Sequence, residues 1–144
     1  MDSTEQNVAV SRRKIAGEAP IVVNEIIENV LYSGFYGTLD SARVKKITDT
    51  LLAKSEVKDI DVVIIDLSNI DIIDSSIAGH LVRMTRIMGL IGVEIIYCGI
   101  QPVVAQSMIS AGIEIAGIAF VKNLKIALQV AMAKKGFRMV KIEE

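Results

Sequence analysis

There is no tryptophan in this chain, one cysteine, one histidine and only two prolines among 144 residues. Each scarcity removes a class of explanation. A structural zinc centre needs several Cys or His ligands, which Cys98 and His80 cannot supply between them. Cys98 has no partner for an internal disulfide, and in its apolar run it reads as a small buried hydrophobe. Aromatic residues make up 4% of the chain, so the core is left to Ile, Val, Leu, Ala and Met. The formal net charge is −1. With no basic stripe, nucleic acid is not expected as a partner. A secretory signal and an apolar run of membrane-spanning length are both missing, which sets the expectation of a cytoplasmic protein with no membrane partner. The glycines stand singly, without a Walker A or dinucleotide fingerprint, and no cofactor is expected.

What is present is apolar. Ala, Val, Ile, Leu, Met and the few aromatics and cysteine reach 51% of the chain, which excludes disorder. The length suits one domain. Residues 1–19 are polar and irregular, with Ser11-Arg12-Arg13-Lys14 as the local basic cluster, and read as a flexible tail; the folded domain is expected over 20–144. Strands are expected at 21–23 and 30–36, forming a hairpin, then at 62–67, 93–98 and 118–121. Val44, Ile47 and Leu51 recur at helical spacing over residues 42–53, with Asp40 or Ser41 as the cap. Ile77, Leu81, Met84 and Met88 line a second helix that stops around residues 89–92. Pro102 opens a third that ends at Gly112, and Asn123 caps a fourth that runs to about residue 133. Residues 136–144 alternate apolar and polar, as an added edge strand or a frayed end. The fold class is therefore α/β, with a mixed, mainly parallel sheet of about four to six strands and about four helices. A mean hydropathy of +0.47 points to self-association as a homodimer.

The segment Asn69-Ile-Asp-Ile-Ile-Asp-Ser-Ser-Ile-Ala78 carries the most functional information. It follows the buried strand and leads into the second helix, so Ser75 and Ser76 fall at a helix start with Asp74 directly before them. The first backbone N–H groups of a helix are unpaired and lie at the positive end of its dipole. A serine there either caps the helix or carries a phosphate that those groups tolerate. Phosphorylation would add roughly 1.5–2 negative charges beside Asp71 and Asp74 and repel a partner docked over the turn. A receiver-type cluster of Asp61, Asp66, Asp71 and Asp74 lacks a cation at the end of the fourth strand to hold a phosphoryl group. A serine hydrolase is excluded because Asp74-Ser75-Ser76 lacks the glycines of a nucleophile elbow. No catalytic residue and no metal ligand is assigned.

Three segments in this order resemble the STAS domains of anti-sigma factor antagonists, over residues 20–135, and within them the stressosome scaffold proteins of the RsbR and RsbS type. Asp74-Ser-Ser-Ile-Ala-Gly-His80 is similar to the family's Asp-hydroxyl-x-Val/Ile-Ala-x-His segment. Val93-Glu-Ile-Ile-Tyr-Cys-Gly-Ile-Gln-Pro-Val-Val-Ala-Gln106 is similar to its Gly-Ile-Arg/Gln-Pro region. Gly37-Thr-Leu-Asp-Ser-Ala-Arg43 resembles RsbR-type proteins in particular. The resemblance implies a STAS fold and a non-enzymatic scaffold in bacterial stress signalling. It implies that Ser75 and Ser41 are phosphorylated by a switch-type serine/threonine kinase, with a PP2C-type phosphatase and other STAS scaffold proteins as further partners. Asp40, Asp71, Asp74, Ser76 and His80, which flank the two serines, are the expected partner-binding residues. The leader of 19 residues is too short for the sensory domain of RsbR-type proteins, so either a stand-alone scaffold nearer RsbS or a related antagonist outside a stressosome is expected, as a homodimer or in a large assembly. The competing readings are a one-to-one antagonist of an anti-sigma kinase and a nucleotide- or anion-binding module at residues 99–101.

Overall fold

The computed structural model describes residues 21–143; the expected tail at 1–19 and its basic cluster lie outside the described residues. The elements run β1 (Asn24–Ile27), β2 (Val30–Tyr36), α1 (Ser41–Val57), β3 (Val62–Asn69), α2 (Ser75–Leu90), β4 (Glu94–Cys98), α3 (Pro102–Ser110), β5 (Ala119–Val121) and α4 (Leu124–Lys134). The five strands form one sheet in sequence order. β1 and β2 pair antiparallel, and every later neighbour is parallel.

β3 has a run of branched aliphatics, Val62-Val63-Ile64-Ile65, because both of its faces are covered. Val63, Ile65 and Leu67 point into the larger core, under Ile47 and Leu51 of α1, Met84 and Met88 of α2, and Val104 and Met108 of α3. Val62 and Ile64 point the other way, with Ile96 and Cys98, toward Ala127 and Ala131 of α4. The small alanines let α4 lie close on that face. Tyr97 is the one large polar-tipped side chain in the main core. Its hydroxyl lies 2.8 Å from Thr85 Oγ1 and donates to the Leu81 carbonyl at 3.2 Å, and its ring stacks on Phe120 with centroids 5.4 Å apart. A buried hydroxyl without such partners would cost about 1–3 kcal/mol.

The first strand departs from the expectation. Residues 21–23 form no ladder; Val23 packs in the core while Ser33 Oγ donates to the Val22 carbonyl at 2.8 Å. The hairpin uses Asn24–Ile27 instead, turning through Glu28 and Asn29, the latter at φ 65°. An edge strand that exposes Asn24, Glu25 and Ile26 has no apolar run to announce it. α1 continues to Val57, four residues past the expected end. Residues 137–143 add no strand, and Phe137, Met139, Val140 and Ile142 are exposed.

Asp40 and Asp74 cap α1 and α2 alike. Each side chain accepts from the backbone N–H three residues on, Arg43 and Ile77 respectively, at 2.8 Å. Asp40→Ala and Asp74→Ala should each lower the unfolding free energy by about 1 kcal/mol, against about 2–5 kcal/mol for Ile64→Ala in the core. Denaturant titration checks this. No loss for Asp74→Ala would show that Ser75 takes over the cap.

Burial, and after it the Asp66 carboxylate, pushes the Cys98 thiol up from 9.0 to about 12. Burial also raises the Tyr32 and Tyr97 hydroxyls above 10.0. A raised acid stabilises the fold fully below its unfolded pKa, and that contribution is lost as pH climbs through the folded value. The denaturant midpoint should therefore fall from pH 9 upward, and Cys98→Ala should flatten the first part of that fall. At pH 8 a thiol reagent should label Cys98 only after denaturation; rapid labelling of the folded protein would contradict the burial.

Candidate functional site

The register between β2 and β3 places Tyr36 opposite Asn69, so these two strands end side by side. Each then passes through a short loop into a helix whose cap is an aspartate and whose first residue is a serine. Ser41 and Ser75 thus stand at equivalent places on one edge of the sheet. Both are exposed. Because the caps are Asp40 and Asp74, neither serine is needed as one, and among the described residues the hydroxyls of Ser41, Ser75 and Ser76 take no hydrogen-bond partner.

The surroundings of the two serines differ in charge. Ser75 follows a loop that presents Asp71 and Asp74 to solvent. Ser41 instead lines a groove of about 490 Å³ between α1 and α2, with Lys45, Asp49, His80 and Arg83 at its rim and Val44 and Met84 at its floor. His80, five residues after Ser75, lies about 140° around the helix from it. The structure therefore brings His80 together with Ser41, and Ser76, Asp71 and Asp74 together with Ser75.

Both loops are gripped by a side chain. In the β2–α1 turn the Arg43 guanidinium donates to the Tyr36 and Thr38 carbonyls at 2.9 and 2.7 Å, and its Nε is buried without a partner. In the β3–α2 loop the Gln101 amide donates to the Ser68 carbonyl at 2.9 Å, with the Ile70 carbonyl and Asp71 Oδ1 at 3.3 and 3.4 Å. Asp66 lies just upstream. Its Oδ1 accepts from the Ser68 backbone N–H and hydroxyl at 2.9 and 2.7 Å, and its Oδ2 accepts from the Tyr32 hydroxyl at 3.3 Å. That carboxylate anchors the strand end. Among the described residues no three His, Cys, Asp or Glu side chains gather as metal ligands.

Gly99 passes close over this anchor at φ +76°, where a Cβ would lie 2.9 Å from Asp66 Oδ1 and 3.0 Å from Ser68 Cβ. Only glycine fits both the backbone angle and the space. Gly99 thus packs the turn, beside which the competing reading puts a ligand cleft, against the end of β3. One surface feature has no counterpart in the sequence reading: Ile72, between Asp71 and Asp74, is 76% exposed while its neighbours Ile70 and Ile73 are buried. No helix among the described residues is long and apolar enough to cross a membrane.

Several known proteins are similar to this chain in sequence or in fold. RsbRA of Bacillus subtilis (strain 168), a co-antagonist of RsbT, is 28% identical over 138 residues, which is 94% of this chain and 50% of that protein. RsbRC of the same organism is 30% identical over 110 residues, 76% of this chain and 38% of that protein. The chain thus spans half or less of the length of these curated relatives. Among solved structures, a serine-to-glutamate variant of RsbS from Moorella thermoacetica superposes with a TM-score of 0.69 at 21% identity, covering 83% of this chain and 100% of that one. The unphosphorylated anti-sigma factor antagonist SpoIIAA gives 0.64 at 15% identity, with 83% and 100% covered. These two likenesses are of fold. The STAS domain model matches residues 22–133, which takes in all five strands and α4 but for its last residue. With that model matched along the whole sheet and the fold shared with RsbS and SpoIIAA, the chain belongs to the STAS domain family.

Proposed function

We propose that this protein is a non-enzymatic scaffold of a partner-switching pathway, which holds a switch-type serine/threonine kinase on the face around Ser75 and α2 and releases it when Ser75 is phosphorylated. The observation that carries the reading is the exposed Ser75 hydroxyl at the head of α2, freed from capping by Asp74. RsbRA and RsbRC, described as co-antagonists of RsbT, support the class of partner. Other STAS scaffold proteins are further partners, and a PP2C-type phosphatase resets the switch.

Magnitudes favour a switch by charge over a switch by refolding. A phosphoserine brings roughly 1.5–2 negative charges. In the free protein water solvates it, and the α2 dipole offsets about 0.3–1 kcal/mol of its repulsion with Asp71 and Asp74. Under a docked partner the same charge loses its water, and like-charge juxtaposition costs several kcal/mol. The fold tolerates the modification and the complex does not. Ser41, which faces Lys45, His80 and Arg83, tunes the event and does not trigger it. Ile72 supplies the apolar contact that the acidic loop otherwise lacks.

Calorimetry against the cognate kinase tests this. Ser75→Asp should weaken binding by about tenfold or more, and Ser75→Ala should bind as wild type. Ile72→Ala should weaken it by about tenfold, the size of a modest hot spot, with an unchanged unfolding midpoint. Wild-type affinity for Ser75→Asp would overturn the switch.

A further inference from the structure

Gln101 breaks a local rule. It is the N-cap residue of α3, yet it makes no side-chain cap hydrogen bond to its own helix. Helix caps are normally Ser, Thr, Asp or Asn, whose short side chains turn back on the first amides. Pro102 at the first helical turn removes one of those amides and lessens the need. The Gln101 amide reaches instead to a loop 30 to 33 residues earlier in the chain, where it meets the Ser68 and Ile70 carbonyls and the Asp71 carboxylate. Two carbonyls and a carboxylate are all acceptors, so the amide must present its nitrogen, and only a donor serves there.

The anchoring is directional. Upstream, Asp66 fixes the Ser68 N–H, and Gly99 packs the β4–α3 turn directly against that pair. Downstream, Asp74 fixes Ile77 and hence the first turn of α2. Between the two anchors lies the loop that sets where Ser75 stands, and among the described residues Gln101 supplies its side-chain hydrogen bonds from outside that loop. Its contact with Asp71 also orients one of the two carboxylates beside Ser75.

We propose that Gln101 is a positioning residue for Ser75: it latches the β3–α2 loop to the head of α3 and so holds the serine and its flanking carboxylate in the geometry a kinase needs. The role in phosphorylation rests on the function proposed above; the latch itself does not. Local rules broken without local benefit are expected where function makes the demand, and the benefit here lies across the sheet edge.

The test uses the full chain with Gln101→Glu, which keeps shape but replaces the donor with acceptors, and Gln101→Arg, which keeps donors. Amide hydrogen exchange of residues 68–74 reads the loop without any kinase. Gln101→Glu should raise exchange there by about tenfold, leave the rest of the sheet as it was, and be rescued in Gln101→Arg. With the cognate kinase, Gln101→Glu should lower kcat for Ser75 several-fold while Ser41, on the neighbouring loop, keeps its rate and serves as the internal control. Unchanged exchange in Gln101→Glu would overturn the latch, whatever happens at Ser75. Faster exchange with an unchanged Ser75 rate would overturn the positioning role. Faster exchange in a protein whose wild-type Ser75 takes no phosphate would support the latch and overturn the proposed function instead.

Discussion

Every feature of the functional edge is registered to β3. The strand is buried on both faces, and its parallel pairing to β2 on one side and β4 on the other leaves no freedom to slide, because a one-residue slip would turn each apolar side chain to the wrong face. With the register held, β2 and β3 end side by side and β4 ends opposite Asp66, three residues short of them. Three consecutive loops, into α1, α2 and α3, then emerge at one edge, and the contacts of Asp66, Gly99 and Gln101 become possible. The site is made of loops, but its geometry is that of the sheet beneath it.

On that base the two serine turns repeat one solution to the problem of helix starts. An aspartate satisfies an orphan amide, and the serine after it is left to solvent. The repetition ends with charge. One serine looks onto the Asp71 and Asp74 carboxylates, and the other onto a groove that mixes Lys45 and Arg83 with Asp49 and His80. A phosphate placed on the first would add to a negative surface, and on the second would meet Lys45 and Arg83 as well as Asp49. Two modifications of identical chemistry therefore have different consequences, decided by the side chains around each turn.

Where burial is large, the sequence foretold the structure well. The two-faced apolar run of β3, the stripes of α1 and α2, Asn123 capping α4 through Ile126 and the stop at Gly112 all rest on apolar period or local backbone chemistry. β1 was misplaced because an edge strand gains little from burial and leaves no periodic trace. At the site, the positions of Ser41 and Ser75 were legible because caps are local. The choice between Asp and Ser as cap was open for α1, since both types serve and neighbouring positions compete. Ile72 was hidden among three similar isoleucines: only the path of the loop decides that Ile70 and Ile73 turn inward and Ile72 outward. The hold of Gln101 on the β3–α2 loop was illegible for a different reason, although residues 99–101 stood out as a segment. Its partners are remote in the chain, and glutamine at a helix start signals nothing by propensity.

The central claim is that Ser75 carries a regulatory phosphate. Phosphosite mass spectrometry on the protein isolated from its own cells, with and without stress, addresses it most directly. The account predicts phosphate on Ser75 whose occupancy rises with stress. An unmodified Ser75 under every condition would contradict it and leave a constitutive binding module in its place.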